Sequence, residues 1–142
     1  MKKSIIIILI ALFITGVIYY AMRPSGKAGQ DEPLSKALID SGIKIIDIRT
    51  KPEWIQTGIV QGAYTLTFFD ERGGYNISEF TDQLSRIVSK DEKFAIVCRT
   101  GNRTSLAVKI LREQGYKNVI DVLGGVKAGA QNGIKLTPYT EG

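Results

Sequence analysis

The chain of 142 residues contains no histidine and a single cysteine, Cys98. Without imidazole there is no Ser-His-Asp or Cys-His pair and no histidine-based metal centre. With one thiol there is no internal disulfide, and a four-ligand zinc site built from cysteine and histidine is excluded as well. No motif in the chain calls for a metal or a cofactor. Whatever chemistry Cys98 performs, its thiolate has to be stabilised without a neighbouring imidazole.

Acidic residues are missing from one part of the chain only. The first thirty residues hold Lys2, Lys3, Arg23 and Lys27 and no Asp or Glu, so the remainder carries 15 basic residues (19 minus 4) against all 14 acidic ones. Of the overall charge of +5, four units therefore belong to the N-terminal segment, and the remainder is nearly neutral. A nucleic-acid partner needs a basic face on the domain itself to neutralise phosphates; none is expected here.

That basic segment encloses a run of eighteen uncharged residues, IIIILIALFITGVIYYAM, at positions 5–22. As a helix it would be about 27 Å long, enough to cross the hydrocarbon of a thin bilayer. Tyr19 and Tyr20 stand where an interfacial aromatic belt is wanted, and Lys2 and Lys3 favour a cytoplasmic N-terminus. Against a cleaved signal peptide, no small-x-small site follows the run. The expectation is a single-pass anchor over residues 1–23, a Gly-, Ser- and Pro-containing tether over 24–33, and one domain over 34–142 on the outer, periplasmic or extracytoplasmic, side of the membrane.

Within that domain, short apolar runs alternate with helix-like stretches. Strands are predicted at 43–48, 63–66, 94–97 and 119–123, where β-branched and aromatic residues cluster. Helices are predicted at 34–40, at 51–56 behind Pro52, at 76–88 behind an Asn76-x-x-Glu79 capping pattern, and at 104–114 before Gly115. In the third of these, Ile77, Phe80, Leu84, Ile87 and Val88 form an apolar face; in the fourth, Leu106, Ala107, Ile110 and Leu111 point inward. A weaker helical segment opens at Gly124-Gly125-Val126. Strands that are largely apolar and separated by helices imply an α/β fold with a mainly parallel sheet covered on both faces.

Ligands of such sheets bind at the carboxyl ends of strands, and Cys98 stands at one. The segment from Cys98 to Arg103 is a six-residue polar loop between the strand 94–97 and the helix that follows. Gly101 permits the torsions that turn backbone N–H groups inward as an anion nest. The positive end of the following helix and the guanidinium groups of Arg99 and Arg103 add to that field. Together these groups are expected to hold a thiolate and to receive either a substrate oxyanion or the outer sulfur of a persulfide.

Five motifs in order, Ile46-Asp47-Ile48-Arg49, Glu53-Trp54, Gly58-Ile59-Val60-Gln61-Gly62-Ala63, the Cys98 loop and Gly124-Gly125-Val126, resemble those of the rhodanese family. The resemblance implies a three-layer α/β fold and a sulfurtransferase in which Cys98 attacks a small sulfur-donor anion, typically thiosulfate, and passes the sulfur to a thiol or cyanide-like acceptor. It implies Cys98 as nucleophile and Arg99, Thr100, Gly101, Asn102, Arg103 and Thr104 as the substrate-binding loop, Arg103 closing it. It also implies an internal, structural ion pair between Asp47 and Arg49. Ile59 departs from the family, which usually has histidine there. Two other readings stand beside this one: a rhodanese-like module that carries sulfur or binds a partner without turnover, and a phosphatase or arsenate reductase. The latter enzymes place five residues between cysteine and arginine, whereas four separate Cys98 from Arg103.

For the N-terminal segment the expected outcome is that the full chain fractionates with membranes and that its domain is cut by protease added from the outer side. Protection of the domain in intact cells would refute the orientation.

Overall fold

The computed structural model describes residues 31–141. The expected membrane segment at 5–22 lies outside the described residues. Among those described, no helix is long and apolar enough to cross a membrane.

Five strands form one sheet: β1 (Glu32–Pro33), β2 (Lys44–Asp47), β3 (Tyr64–Thr65), β4 (Phe94–Val97) and β5 (Val119–Leu123), in the order β1-β5-β4-β2-β3. Every neighbouring pair is parallel, with Lys44 opposite Phe94, Asp47 opposite Val97 and Phe94 opposite Val119. Four helices lie between them, α1 (Lys36–Asp40), α2 (Lys51–Thr57), α3 (Ile77–Leu84) and α4 (Asn102–Glu113), and α5 (Gly125–Gln131) follows β5.

Side chains alternate across the strands, and each face of the sheet has its own core. Ile46, Phe94 and Ile96 pack on one side with Phe80, Leu84, Ala107 and Leu111 of α3 and α4. Ile45, Ala95, Val97, Ile120 and Val122 pack on the other with Leu38 of α1 and Val126 of α5. This is the three-layer, parallel α/β architecture expected from the apolar strands.

Several details depart from the expected elements. Glu32 and Pro33, assigned by composition to the tether, pair with Val122 and Leu123 at the sheet edge. A two-residue edge strand containing proline has no apolar period to betray it. Helix α3 stops at Leu84, and the chain continues in a turn where Ser85 Oγ donates to Asp82 O; Val88 is buried nonetheless. Leu106, expected to point inward, is 48% exposed, while Ala107 and Leu111 on the same helix are fully buried. Residues near the C-terminus fold back along the domain: Ile59 and Thr137 exchange two backbone bonds of 2.8 Å, and the rings of Trp54 and Tyr139 lie 5.4 Å apart. Ile59 makes this bridge through its backbone, so the turn forms without histidine at that position.

At the carboxyl end of β2, Asp47 and Arg49 form the internal ion pair anticipated above, with Arg49 Nη2 2.7 Å from Asp47 Oδ2 and both side chains almost wholly excluded from solvent. Burying two charges is costly unless their remaining hydrogen bonds are made. Here Arg49 also donates to Thr57 Oγ1 and Gly58 O, and Asp47 accepts from Trp54 Nε1. Because removing one partner leaves an uncompensated buried charge, Arg49→Met is expected to destabilise the domain by about 3–5 kcal/mol. Asp47→Asn/Arg49→Met together should cost less than Arg49→Met alone, as urea unfolding of the three proteins will measure.

Candidate functional site

Cys98 follows β4 directly and is only 1% exposed. The chain turns sharply at Gly101, whose φ of +92° lies in the left-handed region and which stands at the N-cap of α4. The turn brings the Gly101 N–H to 3.1 Å from Cys98 Sγ, a hydrogen bond that stabilises negative charge on the sulfur. Thr104 Oγ1 lies 3.7 Å from the same sulfur and 2.9 Å from Gly101 O. Its single hydroxyl proton can serve either acceptor, so this side chain can answer a change of charge on Cys98 without moving. The first turn of α4 adds its positive dipole end at the same place.

A second clasp holds the loop from outside. Val126 N donates to Cys98 O at 2.9 Å and Lys127 N to Arg99 O at 3.0 Å, so the first amides of α5 find their partners on the loop. The approach requires glycine. A Cβ on Gly125 would lie 2.3 Å from Cys98 O and 2.6 Å from Arg99 O, both backbone atoms. The Gly124-Gly125 pair therefore shapes the cysteine loop although it lies some twenty-five residues downstream of it.

The remaining loop residues divide into two groups. Arg99, Thr100 and Asn102 are exposed, whereas Gly101 and Thr104 are buried with the sulfur. Arg103 is partly buried. Its Nη1 and Nη2 bind Glu53 Oε2 and Oε1 at 2.7 and 2.6 Å, a bidentate pair. Glu53 also accepts from Thr50 N and Thr50 Oγ1, both at 3.1 Å, and so caps α2 while holding Arg103. The hydrogen bonds from Arg103 lower the Glu53 carboxyl from its ordinary value to about 2, with those from Thr50 acting in the same direction against partial burial. The same bonds raise Arg103, which the field of Cys98 also favours in its charged form.

Sequence reasoning placed Glu53 in a matching motif and did not assign it to the site. The Thr50-x-x-Glu53 spacing is a readable capping signal. Its contact with a guanidinium fifty residues away has no local signature. The region from Asp70 to Gly74 is an exposed loop closed by Asp70 Oδ1, which accepts from Arg72 N and Gly74 N at 2.8 Å. Trp54, Phe68 and Phe69 are buried. Among the described residues there is no cluster of three or more Cys, Asp or Glu side chains able to hold a metal ion.

A parallel sheet whose strand β4 is followed directly by a cysteine at the head of a six-residue loop defines a three-layer α/β domain. Comparison with known proteins agrees. The rhodanese-like domain family profile matches residues 31–132, and the chain belongs to that family. It is 30% identical over 100 residues to thiosulfate sulfurtransferase 16 of Arabidopsis thaliana, covering 68% of this chain and 82% of that protein. It is 32% identical over 106 residues to a sulfurtransferase of Allochromatium vinosum, covering 74% and 89%. A rhodanese-related protein from Thermoplasma volcanium superposes with a TM-score of 0.55 at 26% identity, covering 70% of this chain and 88% of that one. At family level these relatives support a sulfurtransferase-type or rhodanese-like function.

The Glu53–Arg103 pair makes a prediction about acid. A carboxylate depressed to about 2 in the folded state contributes stability that is present above its unfolded value of roughly 4.3 and is lost as pH falls through the folded value. Glu53→Gln is expected to lower stability at pH 7 by about 1 kcal/mol, the pair being incompletely shielded from water. The deficit should shrink between about pH 4.5 and 2, followed by urea unfolding across that range; a deficit independent of pH would show that the charge is not what Glu53 contributes.

Proposed function

We propose that the chain is a sulfurtransferase that takes a sulfane sulfur from a donor such as thiosulfate and holds it on Cys98 as a persulfide. In the first step a lone pair of the Cys98 thiolate attacks the outer sulfur of thiosulfate. The S–S bond of the donor breaks, its electron pair leaves on sulfite, and the negative charge of Cys98 passes to the outer sulfur of the new persulfide. In the second step an acceptor thiolate, or cyanide, attacks that outer sulfur. The Cys98–sulfur bond breaks and the thiolate is restored. Charge and atoms balance in each step, and neither needs a cofactor.

The observation that carries this reading is the Gly101 N–H on Cys98 Sγ at 3.1 Å within a six-residue loop clasped by α5. Backbone donors already in place act on sulfur charge without reorganising during the reaction. The four-residue spacing between Cys98 and Arg103 supports transfer of a single sulfur atom over the binding of a tetrahedral phosphate or arsenate. In this reading Cys98 is the nucleophile, the Gly101 amide and Thr104 hydroxyl attend the sulfur, and exposed Arg99 meets the donor's sulfonate. Arg103 acts with Glu53 to shape the loop. We also propose that residues 5–22 anchor this domain to a membrane, on the strength of their uncharged run between basic flanks.

After incubation with thiosulfate, the intact mass of the chain is expected to rise by one sulfur atom, the gain is expected to disappear on treatment with cyanide, and Cys98→Ser should abolish it. A chain that gains nothing from thiosulfate or from a polysulfide refutes the reading, and hydrolysis of an aryl phosphate would put the phosphatase in its place.

A further inference from the structure

Beside the Cys98 loop lies a groove of about 640 Å³ with a mostly apolar wall. Pro52 and Phe69 contribute to it from the region of α2 and the segment after β3, and Leu106 from α4. Leu106 is the side chain that helical spacing assigns to the core and that the fold leaves 48% exposed. An apolar side chain left open one turn from the loop is a feature that packing of the domain does not explain. A concave, largely apolar site of a few hundred Å³ with a few polar groups is the usual form of a small-molecule pocket.

The charges around this groove are unequal. Asn102 and Arg103 of the loop border it, so it adjoins the loop that encloses Cys98. The guanidinium of Arg103 is matched by the two oxygens of Glu53, which also lines the groove, and that pair contributes no net charge. Exposed Asp70 and Glu71 remain, both acidic. Arg99, the exposed guanidinium of the loop, is not among the residues around the groove, nor is Arg72. The loop thus carries an exposed cation, Arg99, and beside the loop lies an apolar groove with an acidic rim.

We propose that this groove is the acceptor side of the site and takes a small organic thiol with an uncharged or cationic body. The proposal rests on the sulfurtransferase reading and assigns it a substrate class. A dianionic donor is repelled by Asp70 and Glu71 and approaches on the Arg99 side. The acceptor places its apolar stem against Leu106, Phe69 and Pro52. Its thiolate then attacks the outer sulfur of the Cys98 persulfide. The acceptor leaves as a persulfide and Cys98 regains its negative charge.

The test uses chain preloaded with sulfur, loading being verified by intact mass, and follows single-turnover transfer to cysteamine, 2-mercaptoethanol and mercaptoacetate as cationic, uncharged and anionic acceptors. Comparing each variant with the wild type removes the thiols' intrinsic differences in reactivity. In Glu71→Lys the ratio of the cysteamine rate to the mercaptoacetate rate is expected to fall roughly three- to tenfold, the effect of reversing one charge a few ångströms away near a wet surface. Leu106→Lys, at another exposed position on the groove wall, should move the ratio in the same direction and slow 2-mercaptoethanol as well. An unchanged ratio in both variants overturns the proposal, as does transfer to a cysteine-containing peptide with none to the small thiols. If the wild-type chain cannot be loaded with sulfur at all, the sulfurtransferase reading falls first and the acceptor assignment falls with it.

Discussion

The buried pair of Asp47 and Arg49 sets the geometry on which the rest of the site is built. It closes the carboxyl end of β2, beside β4, from which Cys98 emerges, and its spare donors reach Thr57 and Gly58 at the end of α2. Trp54 ties the middle of α2 to the same carboxylate through its indole N–H. Helix α2 is thereby held at both its middle and its end, and its first turn presents Glu53 toward the cysteine loop. An ion pair so fully buried adds little net stability compared with a well-packed apolar substitute. What it adds here is position, because every polar atom it satisfies belongs to an element bordering the site.

The cysteine loop is held from several directions by parts that contribute no chemistry of their own. Glu53 takes the guanidinium of Arg103, the α5 amides take the carbonyls of Cys98 and Arg99, and the sheet holds β4 between β2 and β5. The result is a cradle whose donor to sulfur comes from the backbone. A backbone amide cannot swing away or lose its proton at neutral pH, and it suits a chain that has no imidazole to share the work. Arg103 shows the other side of this economy. Its charge is matched by Glu53, which leaves Arg99 as the loop's exposed cation.

Much of this was legible from local sequence because the forces concerned are local. Strands β4 and β5 begin and end where the predicted runs do, since β-branched and aromatic residues cluster there; the one charge within them, Asp121, accepts a hydrogen bond from Ser105 Oγ. The loop from Cys98 to Arg103 could be read because six consecutive residues contain the sulfur, the permissive glycine and the start of a helix. Strand β1 escaped notice, being two residues long and held only by its neighbour in the sheet. Leu106 was misplaced for a related reason: helical period assigns a side to each residue but does not tell how wide the covered stripe is. With Ala107, Val108 and Leu111 buried, Leu106 falls just beyond its edge.

By itself the sequence determined the parallel α/β class, the single thiol available for chemistry, the absence of any imidazole and the family to which the domain belongs. These follow from composition, from apolar periodicity and from residues close together along the chain. Tertiary structure alone decided that Glu53 holds Arg103, that Gly125 must lack a side chain for α5 to reach the Cys98 carbonyl, that Ile59 pairs with Thr137, and that Leu106 opens onto a groove beside the loop. Each joins segments tens of residues apart, or depends on what another segment leaves uncovered. No local propensity encodes such contacts, because the energy that selects them exists only when the sheet has brought its strand ends together.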